Sequence, residues 1–415
     1  MTAPPGQFLA GKRIIVAGAG FAGLAFVLAL DQLWQSSTLD RPEVLLYEEN
    51  GRDESIQNDP YTLCINGASR DDGLVAIQQL GLLDAIREHS TLNGGDIRVW
   101  SDNWKWLSSI NPTAYGNLPA ATMRITRQNL KRILVEKVEH TRTIIRWGSA
   151  CTSAEHLPSG KIRVSLSEDV GSSNSSTLEC DLLVAADGAN SRIRACFRPN
   201  DMTTHYAGAT QVGGISHFPE SLPRPIDQDF SLQMSSGEGV CCIYHPFDSK
   251  TIDWALSTRG PEREAKTNLS VEEFKELKQE ALQTASMFQE PFKSVVEATI
   301  PSTAFIRPAK EKPAFQHDYR LNGVMFIGDA NHILSPFEFL GANLALKDGW
   351  DLAEQICSNI SLDTAAACYD RLSIPRFQHV FNFSHERINF GHCTGSKWMF
   401  YKYGMAAQRA LKKVH

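Results

Sequence analysis

What the 415-residue chain lacks narrows its possible roles first. No apolar run approaches the roughly 18 residues of a membrane-spanning helix, and no apolar stretch of signal-peptide type precedes the first strand. No integral membrane segment is expected, and the cytoplasm is the default compartment. Positive charge is not in excess. With 41 Lys and Arg against 47 Asp and Glu, the net charge of −6 gives no attraction to a phosphate backbone and argues against nucleic acid as a partner. There is no CxxC pair and no metal-ligand spacing, so no metal is expected. The nine cysteines, an odd number that includes adjacent Cys241 and Cys242, fit a reducing compartment better than a disulfide framework. Low-complexity linkers are also missing. The length nevertheless exceeds what one hydrophobic core usually holds, so two domains, or one domain with a large insert, are expected.

What is present is organised around Lys12 to Glu49. Arg13 to Ala17 is a short apolar run of the kind a strand buried on both faces requires, and Gly18-Ala19-Gly20-Phe21-Ala22-Gly23 follows with GxGxxG spacing. Gly18 allows the tight turn, Gly20 lets backbone approach a pyrophosphate, and Gly23 lets the next helix pack on its strand. Phe21 and Ala22 open that helix, whose free N–H groups suit phosphate. A second strand, Val44 to Glu48, ends in an acid placed to accept hydrogen bonds from ribose hydroxyls and to repel a 2′-phosphate. This βαβ unit suits FAD or NAD rather than tightly held NADP.

Two more buried-strand runs end in similar signals: Leu182 to Ala186 delivers Asp187-Gly188, and Gly323 to Ile327 delivers Gly328-Asp329. In open α/β sheets ligands bind at such strand ends. A helical pattern with Leu74, Ile77, Leu80, Leu83 and Ile86 lies after Arg70. Asp96 to Leu107 alternates like a hairpin, and Thr126 is placed to N-cap a helix reaching about His140. Alternating strands at Ala209–Ile215, Phe230–Met234, Val240–Tyr244 and Ile252–Ser257 imply a mostly antiparallel sheet, with a charged helix from Val271. The fold class is therefore α/β, with a discontinuous Rossmann-like domain, a second mostly antiparallel β domain and a C-terminal helix. Residues 1–72, 105–195 and 305–357 are assigned to the first, 73–104 and 196–304 to the second, and 358–415 to a C-terminal helical segment.

The set GAGFAG, DGANSRIR (Asp187 to Arg194) and GDANHILSPFEFLGAN (Gly328 to Asn343) resembles the single-component, class A flavin monooxygenases of the para-hydroxybenzoate hydroxylase fold. The stretches around Thr62-Leu63, Gly81-Leu82-Leu83 and Ile125 to Leu130 look most like the tetracycline-inactivating monooxygenases. The resemblance implies FAD as cofactor and NAD(P)H as a transient reductant, since no second GxGxxG of comparable context exists. It also implies O₂ and a small molecule as co-substrates. In such enzymes reduced flavin takes up O₂ as a C4a-hydroperoxide, whose distal oxygen passes to an electron-rich aromatic or enolic carbon. Natural-product metabolism is the implied setting, and a monomer or weak homodimer the implied state.

By that resemblance Gly18, Gly20, Phe21, Ala22, Gly23, Glu48 and Glu49 hold the ADP half of FAD. Arg127 contacts its sugar and phosphate, where a guanidinium neutralises phosphate bidentately. Asp187, Asp329, Pro336, Gly341, Ala342 and Asn343 complete the cofactor set, and Ser191 and Arg194 belong to the motif associated with FAD and the pyridine nucleotide. On the substrate side Phe337 is placed over the flavin, Gln211 matches a substrate-contacting glutamine, and Tyr244 is the third candidate. Tyr244 has a core reading beside the functional one, as do His245, Trp254 and Arg259. Two departures stand out: Phe339 replaces the first glycine of the loop beside the flavin ring, and Gln57 stands near an expected arginine. The C-terminal aromatics Trp398 to Tyr403 are expected to pack between the two domains. Epoxidation, Baeyer–Villiger insertion, oxidative rearrangement, a redox-silent FAD-binding protein and an NAD-dependent dehydrogenase remain alternatives at this stage, although the last leaves the DG and GD stretches without a role.

Overall fold

The computed structural model describes residues 6–35, 38–57, 61–90, 96–168, 175–227, 229–335 and 340–412. The first part of the chain runs β1 (Arg13–Ala17), α1 (Phe21–Trp34), β2 (Glu43–Glu48), α2 (Arg52–Gln57), β3 (Thr62–Asn66), α3 (Gly73–Gln79), α4 (Leu83–Glu88), β4 (Ile97–Trp100), β5 (Trp106–Ile110), β6 (Thr122–Thr126), α5 (Arg127–Glu139) and β7 (Ile144–Trp147). It continues through β8 (Ser149–His156), β9 (Ile162–Glu168), β10 (Ser175–Cys180), β11 (Leu182–Ala185), α6 (Arg192–Phe197), β12 (His205–His217), β13 (Phe230–Met234), β14 (Val240–Pro246) and β15 (Thr251–Arg259). Then come α7 (Val271–Thr284), α8 (Phe292–Glu297), β16 (Phe305–Glu311), β17 (Val324–Phe326), α9 (Gly341–Ser358), α10 (Leu362–Gly391) and α11 (Gly395–Lys412).

A five-stranded parallel sheet in the order β17-β11-β1-β2-β7 is covered on both faces, as its uninterrupted apolar runs require. Ile14 and Val16 turn to one side, into the core formed with α1, α5 and α9, while Ile15 and Ala17 turn to the other, against β8, β9 and β10. Because every strand runs the same way, the ends of β1, β2, β11 and β17 open at one edge. Thr126 caps α5 as expected, its hydroxyl accepting from the Asn129 N–H at 3.2 Å.

The second sheet has seven strands in the order β16-β12-β15-β14-β13-β4-β5, all antiparallel pairs except β13 with β4. One face carries Val212, Val240, Cys242, Tyr244, Trp254 and Leu256 against α7 and α8. The other turns toward the β3–β6 pair and α10. Strands β5 and β16, assigned from sequence to the cofactor domain, pair here instead. Conversely, Leu74, Ile77, Leu80 and Ile86 of the 73–90 stretch, assigned to the substrate domain, lie in one core with α1 and α5. A strand-like or helix-like run does not say which sheet it joins; register does.

The C-terminal part also differs from expectation. The strut between the two sheets is α10, part of the 358–415 segment expected to be helical, and not the aromatic end of the chain. Arg376 of α10 pairs with Asp348 and Asp351 of α9, while His385 meets Glu311 of β16 at 2.9 Å and His392, just past α10, meets Ser257 of β15 at 2.9 Å. Helix α11 buries Trp398 and Met405 against Val99, Leu107 and Met234 at the edge of the large sheet, with Phe400 and Tyr403 exposed.

Helices α1 and α9 meet with no side chain between them at Gly349, where a Cβ would stand 2.5 Å from the Ala22 carbonyl oxygen and 2.6 Å from the Phe26 nitrogen. Replacing Gly349 by Val forces these helices apart, and the expected loss is roughly 1–3 kcal/mol or more of unfolding free energy, read as a lower urea midpoint. An unchanged midpoint would show that the contact is not needed.

Candidate active site

The glycine turn after β1 is held by backbone on all sides but one. Gly18 has φ +100°, a Cβ on it would collide with the Ala186 carbonyl, and one on Gly23 would collide with the Gly18 carbonyl. Gly20 is different: the nearest atom to a Cβ there is 3.9 Å away. It N-caps α1, and no side chain caps the first turn of that helix. The turn thus leaves an open cradle lined by backbone N–H groups at a helix N-terminus, the arrangement a pyrophosphate needs.

Glu48 ends β2 beside this turn. Its Oε2 accepts from the Ala19 N–H at 2.9 Å and its Oε1 from the Asn50 N–H at 3.2 Å, so the carboxylate is fixed in place. From below, buried Lys131 of α5 donates to the Ala19 carbonyl. Burial pushes its ammonium down to about 8, with Glu48 drawing the pKa up and Arg127 pushing it further down. Lys131 was not singled out from the sequence. Arg127 places its guanidinium 5.7 Å over the Phe21 ring, at the mouth of the same turn.

The other two strand ends converge here. Asp187 accepts from the Ile193 N–H at 3.1 Å through Oδ2, while its buried Oδ1 has no hydrogen-bond partner among the described residues. Burial raises its pKa, against the hydrogen bonds from Ser191 and Ile193. Asp329 follows β17 in a single 3-10 turn, and neither hydrogen bond nor ion pair holds its exposed carboxylate among the described residues. Surrounding protein raises its pKa, with His332 opposing. The turn itself is anchored from beneath: Asp348 accepts from the Gly328 N–H at 3.0 Å, from His332 at 2.7 Å and from Arg376 at 2.9 Å. Burial alone would raise the Asp348 pKa, but His332 and Arg376 outweigh it and hold the group well below the ordinary carboxylate range. Gly341 and Ala342 open α9 half-buried, with free space beside Gly341.

Some expected cofactor residues have other work. Arg194 is 1% exposed and its guanidinium is fully engaged with the Ala330 and Asn331 carbonyls and with Asp201, clamping the DG segment to the GD segment. Ser191 caps α6 by accepting from the Arg194 N–H at 2.8 Å. Glu49 pairs at the surface with Arg192 at 2.8 Å. The Asn343 amide bridges to β3, accepting from the Asn66 N–H at 2.7 Å and donating to the Cys64 carbonyl at 2.8 Å. Pro336, Phe337 and Phe339 lie outside the described residues. Gln57 ends α2, exposed, its carbonyl accepting from Gln128 at 2.7 Å.

The large sheet faces this edge. Cys64 of β3 meets His245 of β14 at 3.2 Å, Arg124 of β6 donates to the Pro246 carbonyl at 3.0 Å, and Arg307 of β16 lies 5.9 Å over the Tyr61 ring. Pairing register puts Gln211, Ser257, Asp253, His245 and Arg307 on this same face. Gln211 is 1% exposed, and its Nε2 has no partner among the described residues. His245 is pushed down to about 3 by burial and by Arg124, so it is neutral at physiological pH and unsuited to act as a base there. Asp253 and Arg307 were not singled out from the sequence. Burial pushes Asp253 up to about 7, against the Arg307 charge.

Tyr244 is corrected from a catalytic candidate to a core residue. It neighbours His245 on the strand and therefore points to the opposite face, where its hydroxyl donates to Gln233 at 2.6 Å and its ring packs 5.4 Å from Trp104. Trp254 shares that face and donates to Thr299 at 3.0 Å, and Arg259 donates to Asn389 near the surface at 2.6 Å.

Two outcomes are expected. Gly18→Ala strains the turn and yields little folded protein, whereas Gly20→Val folds and fills the cradle, lowering FAD affinity by about two decades or more. Flavin retention by folded Gly20→Val protein would refute the cradle. For Asp253, the folded pKa of about 7 lies above the unfolded value of 3.8, so the folded state holds the extra proton in that window and stability falls as pH rises through it. Asp253→Asn removes the fall, giving a Tm gain of about 2 °C or more at about pH 8 and little at about pH 4. An equal offset at both pH values would exclude the titration.

Comparison with known proteins agrees with this geometry. A family model described as an FAD binding domain matches residues 71–376. Monooxygenase cfoF of Aspergillus candidus is 38% identical over 393 residues, covering 94% of this chain and 93% of that protein. Kynurenine 3-monooxygenase of Salinispora tropica is 23% identical over 376 residues, covering 88% and 77%. Among solved structures, Klebsiella pneumoniae HpxO complexed with FAD and uric acid superposes with a TM-score of 0.75 at 17% identity, covering 98% of this chain and 96% of that one. With its GxGxxG cradle, its DG and GD strand ends and an antiparallel sheet facing them, the chain belongs to the FAD-dependent monooxygenases of the para-hydroxybenzoate hydroxylase type.

Proposed function

We propose that the chain inserts one oxygen atom into an electron-rich aromatic or enolic small molecule, with a nicotinamide nucleotide as a reductant that binds and leaves. The observation that carries this reading is the meeting of two half-sites: the strand-end edge, with its open cradle at Gly20, and the polar face of the large sheet, linked through Asn343, Cys64 and His245. FAD, when bound, supplies the reduced flavin that activates O₂ for transfer of a single oxygen atom.

The chain's own groups would do the positioning. Backbone at Gly18 to Gly23 and the Arg127 guanidinium take the phosphates, Glu48 takes ribose hydroxyls with its remaining lone pairs, and Asp187 Oδ1 and Asp329 offer acceptors to the sugar alcohol. The sheet face orients the substrate, and the bodies packed around it keep water out. A reductant that binds and leaves is in keeping with the single GxGxxG turn in the sequence.

Gln211, buried on the site face where tetracycline-inactivating enzymes place a glutamine, favours a polyketide-like enol as a second substrate reading. Relatives named for aromatic acids, such as the 3-amino-4-hydroxybenzoate 2-monooxygenase PtnB3 of Streptomyces platensis, favour the aromatic one. Natural-product metabolism, a cytoplasmic location and a monomer or weak homodimer belong to the same proposal.

Purified protein is expected to carry the yellow flavin absorption, and a panel of phenols, indoles and polyketide enols with NADPH and O₂ should contain members that accelerate NADPH oxidation and emerge heavier by one oxygen. Flavin-loaded protein that no member stimulates would sink the proposal.

A further inference from the structure

Residues 387–415 hold six Lys and Arg and no Asp or Glu, in a chain whose net charge is −6. Most of this run is α11, a helix of 18 residues. One side of it is accounted for by the fold: Trp398 and Met405, seven residues apart, are buried on Val99, Leu107 and Met234, and Tyr401 packs with them. The opposite side is left to solvent. Phe400 is 76% exposed and Tyr403 65%, with Met399 at 43% beside them and Ala407 exposed one turn on. No aromatic side chain among the described residues is more exposed than these two. Strand β5, on which α11 packs, also exposes Trp106 and Ile110 at this edge of the large sheet.

The charges around this apolar side are of one sign. By the helix period Lys397 and Lys402 stand to either side of it, both exposed, and neither makes an ion pair among the described residues. The acids beside the helix, Glu238 and Asp102, line the clefts where α11 meets the sheet, and Asp102 accepts from the Ser236 hydroxyl at 2.5 Å. Helix α7 differs: its exposed Val271 stands among Lys275, Lys278 and four glutamates, Glu272, Glu273, Glu276 and Glu280. A second copy of the chain is a poor occupant for the α11 face. A two-fold contact there would set each copy's cations against the other's, with no acid on either helix to answer them. Among the described residues no helix is long and apolar enough to cross a membrane, so contact with lipid has to be lateral. A helix with aromatics on its free side and lysines at the flanks suits that position, lying in the plane of the interface while the lysines reach the headgroups.

We propose that the outer side of α11 docks on an anionic lipid bilayer, with Met399, Phe400 and Tyr403 entering the headgroup region and Lys397 and Lys402 meeting the lipid phosphates and carboxylates. Apolar burial and charge attraction act together in such a contact, and each makes the other's share smaller than full anchoring would need. None of these side chains belongs to the cofactor or substrate half-site, so the inference stands apart from the oxygen-transfer reading.

The test is co-sedimentation of the purified full chain with vesicles of phosphatidylcholine, alone or with about 30% phosphatidylserine. The protein should partition roughly tenfold more strongly onto the anionic vesicles and lose most of that difference at about 1 M salt, where the Debye length is about 3 Å. Lys397→Gln and Lys402→Gln should each weaken binding roughly fivefold, and Phe400→Ser and Tyr403→Ser each roughly tenfold. Tm should stay as in the wild type for all four, because the side chains they replace are exposed. Val271→Ser on α7 removes a side chain as exposed and apolar as Phe400 and should leave vesicle binding unchanged. Wild type that stays in the supernatant with anionic vesicles, or Phe400→Ser and Tyr403→Ser proteins that sediment as the wild type does, would overturn the proposal. So would a concentration-dependent dimer in light scattering that Phe400→Ser abolishes, since the face would then belong to a second copy.

Discussion

Glycines 18, 23 and 349 let β1, β11 and α9 reach the first turn of α1 backbone to backbone, and the cofactor edge depends on that approach. A side chain at any of the three would push a strand or helix outward, and the N–H groups of the α1 turn would no longer share an edge with Asp187 and Asp329. The parallel sheet then follows from its connections: each strand returns through covering structure to start again at the same end, so four strand ends open side by side. Glu48 and Lys131 pin the turn from its flank and from beneath through Ala19, one at the N–H and the other at the carbonyl.

A second constraint reaches the same edge from the C-terminal side. Asp348 and Asp351 on α9 hold Arg376 of α10, while Asp348 also holds the Gly328 turn and His332. Buried ion pairs of this kind contribute little net stability, because desolvation offsets attraction, but breaking one leaves an uncompensated charge. Their effect here is positional. The GD turn is tied to α10, and α10 is tied through His385 and Ile388 to the sheet that carries Gln211 and Arg307. The two half-sites therefore share one strut.

Much of the cofactor side was legible because buried parallel strands appear as short apolar runs, and GxGxxG, DG and GD stand directly at their ends. The substrate side was less so. A strand of period two says that Tyr244 and His245 face opposite ways but not which faces the site; only pairing to β13 and β15 decides. Asp253 and Arg307 carry no comparable signal in the sequence, and the face they share with Gln211 becomes visible only when the strands are paired. Lys131 reads as one more charge on a helix surface. The segment 358–415 reads as helical, but that α10 within it would join the two sheets is set by pairs such as Arg376 with Asp348 and His385 with Glu311, which have no local pattern.

In the proposed mode of binding, the flavin ring would lie between the start of α9 and the face of the large sheet, with the adenosine end at Glu48. A crystal structure of the FAD-loaded protein tests this most directly. The expected result is pyrophosphate against Gly20 and a ring whose open side looks onto the sheet face that carries Gln211. A ring turned away from that face, or a phosphate bound anywhere but the α1 turn, would contradict it.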